Sequence, residues 1–147
     1  MSWTDLTLVD ANVLIHAYNL DSSIHRVASE WWADKLSGSE RVGLALASVL
    51  AFVRITTHPR ALAQPKPMKE ISEIVSSWFE EDSVDWLHPT ERHWEILSRL
   101  LVDAQASGNL VPDAHLAALA IEHGATLCTT DRDFSRFPGL KWTNPLI

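Results

Sequence analysis

The sequence predicts an α/β fold in which a mostly parallel, twisted sheet carries helices on both faces. Short apolar runs alternate with segments of helical periodicity along the chain, and typical helix boundaries such as Pro112 and Gly124 separate them. Alternation of this kind is typical of parallel strands joined by crossover helices. Because ligands bind outside the carboxyl ends of the strands in such sheets, the residues that follow each strand are the first candidates for a site.

The elements can be assigned in order from the apolar spacing and the turn residues. The predicted strands are 6–9, 41–47, 83–87, 125–130 and 140–143. The predicted helices are 13–20, 23–36, 49–58, 67–81, 91–108 and 111–124. We expect Ser48 and Thr90 to act as N-caps, Pro67 to occupy a first helical position, and Gly108 to end a helix.

Length and composition predict one domain over residues 1–147, because 147 residues with 46% hydrophobic content suffice for a single core. The chain has no signal-like start and no apolar run of the ~18 residues that a membrane span needs, so we expect a cytoplasmic protein without a membrane segment. The single cysteine, Cys128, lies in a predicted buried strand and is interpreted as a core residue in a reducing compartment.

The formal net charge of -7 argues against a protein that coats nucleic acid, because phosphate binding relies on Lys and Arg. It does not argue against an enzyme that acts on nucleic acid, since carboxylates around a divalent cation are neutralised locally when the cation binds. Some basic residues are candidates to contact phosphate, although scattered cations are more often plain surface and Arg54 could pair with an acid. These candidates are Arg54, Arg60, Lys66, Lys69, Arg132 and Arg136.

Four aspartates are predicted to converge at one edge of the sheet. Asp10 follows the first strand and Asp131 follows the strand 125–130, so a parallel sheet places both at the same edge, with Asp133 slightly further along. Asp113 begins the helix before that strand. Its i+3, i+4 and i+7 neighbours are apolar, which places its carboxylate on the stripe that faces the sheet. These neighbours are Leu116, Ala117 and Ala120.

Each aspartate also has a local explanation. Asp10 and Asp113 could cap helices, and Asp131 and Asp133 could form a capping turn. Four carboxylates at one partly buried edge would, however, repel one another and raise the pKa of at least one of them unless a cation is present. Oxygen ligands suit Mg²⁺ or Mn²⁺ rather than zinc, and the seven histidines show no zinc-binding spacing.

Several motifs together resemble the PIN-domain ribonucleases, specifically the VapC-type toxins of toxin–antitoxin pairs. They are LVDANVLIHA, GNLVPDAHLAALAIEHGATL and TTDRDFSRFPGL, together with AFVRITTHPR and HWEILSRLL, and they span nearly the whole chain. The resemblance implies a three-layer α/β/α fold and metal-dependent endonucleolytic cleavage of RNA. By position it assigns the acidic metal site to Asp10, Asp113 and Asp131, with Asp133 as a further candidate, and it assigns supporting roles to Asn12 and Thr129.

The chain departs from the resemblance at one position. Many members carry a further acid, usually Glu, in the helix after the second strand, where this chain has Ala51, and no acid occurs between Val42 and Arg60. A site with two ions is therefore in question, although one ion could still be held. The resemblance also implies a homodimer and a small antitoxin partner. Because Trp31 and Trp32 are adjacent and cannot both face one core, one of them could face such a partner.

Two alternative functions come from other classes. A phospho-accepting signalling domain shares the parallel sheet, but it would need an acidic pair before its central aspartate and a lysine after a later strand, where this chain has TTDRDF. A second alternative is a catalytically degenerate PIN-fold module that binds RNA or a protein partner without cleaving RNA, which the alanine at position 51 would favour. RNA digestion with added Mg²⁺ or Mn²⁺ separates this module from a nuclease.

Overall fold

A computed structural model describes residues 5–147 of the chain. Its strands are β1 (Leu6–Val9), β2 (Arg41–Leu44), β3 (Val84–Trp86), β4 (Thr126–Cys128) and β5 (Trp142–Thr143). Its α-helices are α1 (Ala11–Tyr18), α2 (His25–Ser37), α3 (Leu46–Thr56), α4 (Met68–Phe79), α5 (His93–Asp103) and α6 (Leu110–His123), and a short 3₁₀ helix covers Arg132–Arg136.

The five strands form one sheet in the order β3-β2-β1-β4-β5, and every neighbouring pair is parallel. The α/β fold with a parallel sheet that the sequence predicts is therefore confirmed. The chain first builds the sheet outward from β1 through β2 to β3, and then returns to the other side of β1 for β4 and β5. The strand order thus reverses between β1 and β4, and a reversal of this kind opens a crevice at the carboxyl ends of the two strands.

Two hydrophobic clusters cover the two faces of the sheet. Val9 and Val42 pack with residues of α1 to α4 on one face. Leu8 and Leu127 pack with residues of α5 and α6 on the other. Neighbouring residues of a strand point to opposite faces of the sheet, so Leu8 of β1 belongs to one cluster and Val9 to the other. The result is a helix–sheet–helix arrangement of three layers. None of the helices over residues 5–147 combines the length and the apolar character that crossing a membrane would require.

The predicted N-caps at Ser48 and Thr90 are wrong. Helix α3 begins at Leu46, so Ser48 lies within its first turn and is buried, while Ala45 precedes the helix without a capping side chain. Helix α5 begins only at His93, and the Thr90 hydroxyl instead accepts a hydrogen bond from the Arg92 N–H at 3.2 Å. In both places the residue before the helix, Ala45 or Arg92, makes no capping hydrogen bond through its side chain.

Two further helix ends differ from the prediction. Helix α5 ends at Asp103 and does not reach Gly108, because Gln105 takes a positive φ of 49° that a helix cannot contain. Pro67 directly precedes α4, which begins at Met68, so the proline lies one position before the first helical residue. These differences leave the strand ends, where the aspartates lie, unaffected.

Candidate active site

Asp10 directly follows β1, and its side chain links the ends of β1 and β4, the two strands between which the strand order reverses. Its Oδ1 accepts a hydrogen bond from the Ala11 N–H at 2.7 Å, so it does cap α1 as the local explanation allows. Its Oδ2 accepts a second hydrogen bond, at 2.8 Å, from the hydroxyl of Thr129, the residue that directly follows β4. The carboxylate therefore has a tertiary role in addition to the cap.

Asn12 and Thr129, which the resemblance assigns to supporting roles, hold this junction together. The Asn12 Nδ2 donates to Asp10 Oδ2 at 3.2 Å and to Thr129 Oγ1 at 3.1 Å. The Thr130 N–H donates to Asn12 Oδ1 at 3.2 Å, which fixes the orientation of the amide because only its oxygen can accept that bond. Thr129 is fully buried, and its hydroxyl oxygen also accepts the Asp131 N–H at 3.1 Å.

Asp131 and Asp133 lie at the start of the 3₁₀ helix after β4. Asp131 Oδ1 accepts the Asp133 N–H at 2.9 Å, so the capping turn that the sequence allowed is present. Only one of the two Asp131 oxygens is used in this bond, and Asp133 is exposed at the rim. Asp131 therefore keeps an oxygen for another role, whereas Asp133 is the most exposed of the four aspartates.

Asp113 has no local capping role. It is the fourth residue of α6, it is half-buried, and its carboxylate accepts no hydrogen bond from residues 5–147. The apolar neighbours used to predict its orientation are all buried. Burial raises its pKa to about 6, and the negative charges of Asp131, Asp10 and Asp133 add to that rise. The four aspartates are thus close enough to repel one another, as the sequence predicts.

The pKa of Asp10 is raised as well. Burial is the largest cause, and the negative charge of Asp131 adds to it. The hydrogen bonds from Thr129, Ala11 and Asn12 act in the opposite direction, because they stabilise the charged carboxylate. The donors around Asp10 therefore offset part of the rise in its pKa, whereas Asp113 has no such donors among residues 5–147.

The donor set suits a hard divalent cation. In the part of the chain that the structure describes, no group of three or more His, Cys, Asp or Glu side chains is arranged to hold a metal ion as it stands. Mg²⁺, however, keeps several waters and typically takes only one or two carboxylates directly. Asp113 has no hydrogen-bond donor among residues 5–147, and neighbouring carboxylates help to raise its pKa. A bound cation would offset the repulsion between these negative charges.

Helix α6, which carries Asp113, is attached to α5 by a partly buried chain of polar contacts that the sequence did not lead us to expect. Glu122, whose side chain is fully buried, lies 2.6 Å from His93 Nδ1 and accepts the Thr90 N–H at 2.7 Å. His93 Nε2 lies 2.9 Å from His115 Nδ1. The spacing of seven residues between His115 and Glu122 on α6 was the available signal, since it places both on one helix face.

The chain matches the PIN domain family over residues 7–140. It also resembles proteins of the VapC group along nearly its whole length. Ribonuclease VapC37 of Mycobacterium tuberculosis is 42% identical over 140 residues, which cover 95% of this chain and 97% of the relative. Ribonuclease VapC33 of the same species is 37% identical, with 96% and 99% covered. The chain therefore belongs to the PIN-domain family and, within it, to the VapC group.

Solved structures agree with this fold at much lower sequence identity. The VapBC2 complex of Rickettsia felis, bound to a promoter DNA fragment, contains a chain that matches with a TM-score of 0.67 at 15% identity, covering 95% of this chain and 98% of that one. VapC20 of Mycobacterium tuberculosis, described as a sarcin–ricin loop cleaving toxin, matches with a TM-score of 0.64 at 19% identity, covering 92% and 98%.

Replacing Asp113 with asparagine should stabilise the metal-free protein at neutral and alkaline pH. The pKa of Asp113 is about 6 in the folded chain and 3.8 in the unfolded one, so the group costs stability as pH rises from about 4 through 6. Asp113→Asn should raise the free energy of unfolding at pH 8 by roughly 1 kcal/mol, a value reduced for solvent screening, and should change little near pH 4.

Urea unfolding in EDTA at the two pH values measures this effect. Glu73→Gln is the matched control, because Glu73 is an exposed acid in the middle of α4 and its substitution removes the same charge. Equal unfolding free energies for wild type and Asp113→Asn at pH 8 would show that the carboxylate is not under repulsion.

Proposed function

We propose that this protein is a metal-dependent endoribonuclease that hydrolyses RNA phosphodiester bonds and acts as the toxin of a toxin–antitoxin pair. The observation that carries the proposal is the convergence of Asp10, Asp113 and Asp131 at the reversal of strand order, with raised pKa values for the first two. The names of the relatives at 37% and 42% identity, which are ribonucleases, support the same reaction.

The cofactor in this proposal is Mg²⁺ or Mn²⁺, held by Asp10, Asp113 and Asp131 with Asp133 as a further contributor. A bound cation supplies positive charge that lowers the pKa of a nearby water and offsets charge developing on the phosphate. Asp10 is fixed in place by Thr129 and Asn12, so it offers an oxygen in a constant position. A cation site requires ligands that are held rigidly in this way.

Asp113 differs from the other acids in what it can contribute. Its carboxylate has no hydrogen-bond donor among residues 5–147, so both oxygens are available to an incoming group. In the metal-free protein its pKa is about 6, so the carboxylate is already largely ionised at neutral pH and can accept a cation or a proton. We therefore assign to Asp113 either direct contact with the cation or acceptance of a proton from the attacking water.

The second candidate function is a PIN-fold module that binds RNA or a protein partner without cleavage. Ala51, in the middle of α3, stands where many members carry an acid, and the described residues contain no ready-made group of three ligands. Both observations leave fewer ligands than a two-ion site needs. The cleavage experiment below separates this module from the nuclease.

Asp10→Asn and Asp113→Asn should each lower RNA cleavage on the order of 10²-fold or more, because each removes a negative oxygen from the site. Cleavage of total RNA is followed by gel electrophoresis at pH 7.5 with Mg²⁺ or Mn²⁺, and EDTA should abolish it. Circular dichroism checks that the variants remain folded.

Glu73→Gln, on the exposed side of α4, controls for the loss of one negative charge. Undiminished cleavage by a folded Asp113→Asn protein would remove that residue from the reaction. Tight RNA binding by the wild type without any cut under either metal would instead favour the non-cleaving module.

The proposal extends to partners and to the cell. We propose a small antitoxin as the cognate inhibitor, a homodimer as the toxin's own state, and the cytoplasm as its location. The complexes of VapC with its antitoxin among similar folds support the first of these. The short reading frame directly upstream of the gene is where the antitoxin should be sought.

We assign contact with such a partner to Trp31 rather than to Trp32. Trp32 is 2% exposed and belongs to the core. Trp31 is only half-buried; its ring lies 6.3 Å from that of Trp32 and 5.8 Å from the Lys35 ammonium. Trp31 also lines a cavity of about 510 Å³ together with Lys35 and Glu40. A half-buried tryptophan beside a cavity is a typical anchor for a protein partner.

Trp31→Ala should weaken either dimerisation or antitoxin binding by about tenfold or more, because the substitution removes the ring that a partner would cover. Sedimentation measures the first and calorimetry with the purified antitoxin the second. Trp94→Ala, at an exposed position of α5, serves as the control. Unchanged values for both equilibria in the Trp31→Ala protein would refute the assignment.

A further inference from the structure

A further cavity, open to the surface, lies at the carboxyl end of α3. It has a volume of about 230 Å³ and is lined by Arg54, Ile55, His58, Arg60 and Ala61. Three of these five side chains carry hydrogen-bond donors, and none of the five is acidic. The cavity shares no residue with the aspartates of the candidate active site, so the nuclease proposal does not account for it.

The turn that forms this cavity is held by its own hydrogen bonds. The Ala61 and Leu62 N–H groups both donate to the His58 carbonyl, at 3.1 and 3.2 Å, and the His58 N–H donates to the Ile55 carbonyl at 3.2 Å. The side chain of Leu62 is buried and anchors the turn against the protein. The backbone that presents the arginines is therefore ordered before any ligand arrives, which lowers the entropic cost of binding.

The donors of the cavity have no acceptor of their own. Neither Arg54 nor Arg60 forms an ion pair with a carboxylate anywhere in residues 5–147, in a chain whose net charge is -7. His58 Nδ1 accepts the Arg60 N–H at 3.0 Å, so a neutral His58 ring carries its proton on Nε2 and can donate it. Two guanidinium groups and an imidazole N–H on one cavity form a site for an anion.

The position of the cavity favours a phosphate of the substrate. Helix α3 starts directly after the carboxyl end of β2 and packs against α1, which Asp10 caps. Its 11 residues span about 16 Å, so the cavity lies at the far end of a helix that begins at the active edge. With about 3.4 Å between stacked nucleotides, this length corresponds to roughly five nucleotides. Guanidinium groups bind phosphate oxygens in a two-pronged geometry, which suits a backbone contact.

We propose that Arg54, His58 and Arg60 bind a backbone phosphate of the RNA, several nucleotides from the bond that is cut. This subsite rests on the ribonuclease function proposed above. It explains how an acidic protein grips a polyanion, because the grip is separated from the carboxylates that would repel it. Because this subsite contacts only the RNA backbone, it increases affinity and positions the RNA but does not recognise the base sequence.

The test measures binding of a fluorescein-labelled 12-nucleotide single-stranded RNA in EDTA at several salt concentrations. Arg54→Gln and Arg60→Gln should each weaken binding at least about threefold and lower the slope of log affinity against log salt by about 0.7, the value for one lost phosphate contact on a single strand. Arg99→Gln is the control, because Arg99 is an exposed arginine of α5 on the opposite face of the sheet. In cleavage assays the same two variants should raise KM and leave kcat unchanged.

A second measurement keeps the subsite and the nuclease proposal distinguishable. The side-chain Nε–H signals of Arg54 and Arg60 should shift in the NMR spectrum when the 12-nucleotide RNA is added, whether or not the RNA is cut. Shifts without cleavage would support the subsite and overturn the nuclease function. Cleavage with unchanged KM and salt slope in both variants would overturn the subsite alone. Variants that lose antitoxin binding but keep RNA affinity would also overturn it, and would assign the cavity to an acidic peptide.

Discussion

Carboxylates from three separate segments of the chain repel one another at the reversal of strand order, and the surrounding hydrogen bonds and packing must hold them there. Parallel pairing of β4 with β1 brings Asp131 beside Asp10, and α6 adds Asp113 from the layer above. A chain that gathered these charges without a compensating cation would lose stability. The hydrogen bonds among Asn12, Thr129 and Asp10 keep the strand ends together despite that repulsion.

The surrounding structure holds the acids in place at positions remote from them. Helix α6 approaches the sheet closely because small alanines line its buried side, and the buried Glu122 attaches it to His93 of α5. Gly43 of β2 likewise allows close packing, because a Cβ at this position would lie only 2.5 Å from the Leu87 side chain. Stability in the helical layers thus allows Asp113 to remain without donors, a common compromise between folding and activity.

The approach of the aspartates to one edge of the sheet could be predicted from the sequence because the relevant geometry is local or topological. Strand ends followed by aspartates, and the apolar spacing around Asp113, depend only on neighbouring residues and on parallel pairing. The caps assigned to Ser48 and Thr90 were wrong because a capping residue type indicates only roughly where a helix begins, and these helices begin at Leu46 and His93. The bond between His93 and Glu122 joins residues far apart in the chain, and no local periodicity reports such a contact. The single-domain organisation and the roles of the aspartates stay predictions.

A carboxyl-carbon NMR titration of Asp113, with and without Mg²⁺, tests the central claim most directly. We expect a pKa of about 6 in the metal-free protein and a clearly lower pKa at saturating Mg²⁺, because the cation replaces repulsion by attraction. A pKa near 3.8 without metal, or one that Mg²⁺ leaves unchanged, would contradict the view that these carboxylates are gathered to hold a cation.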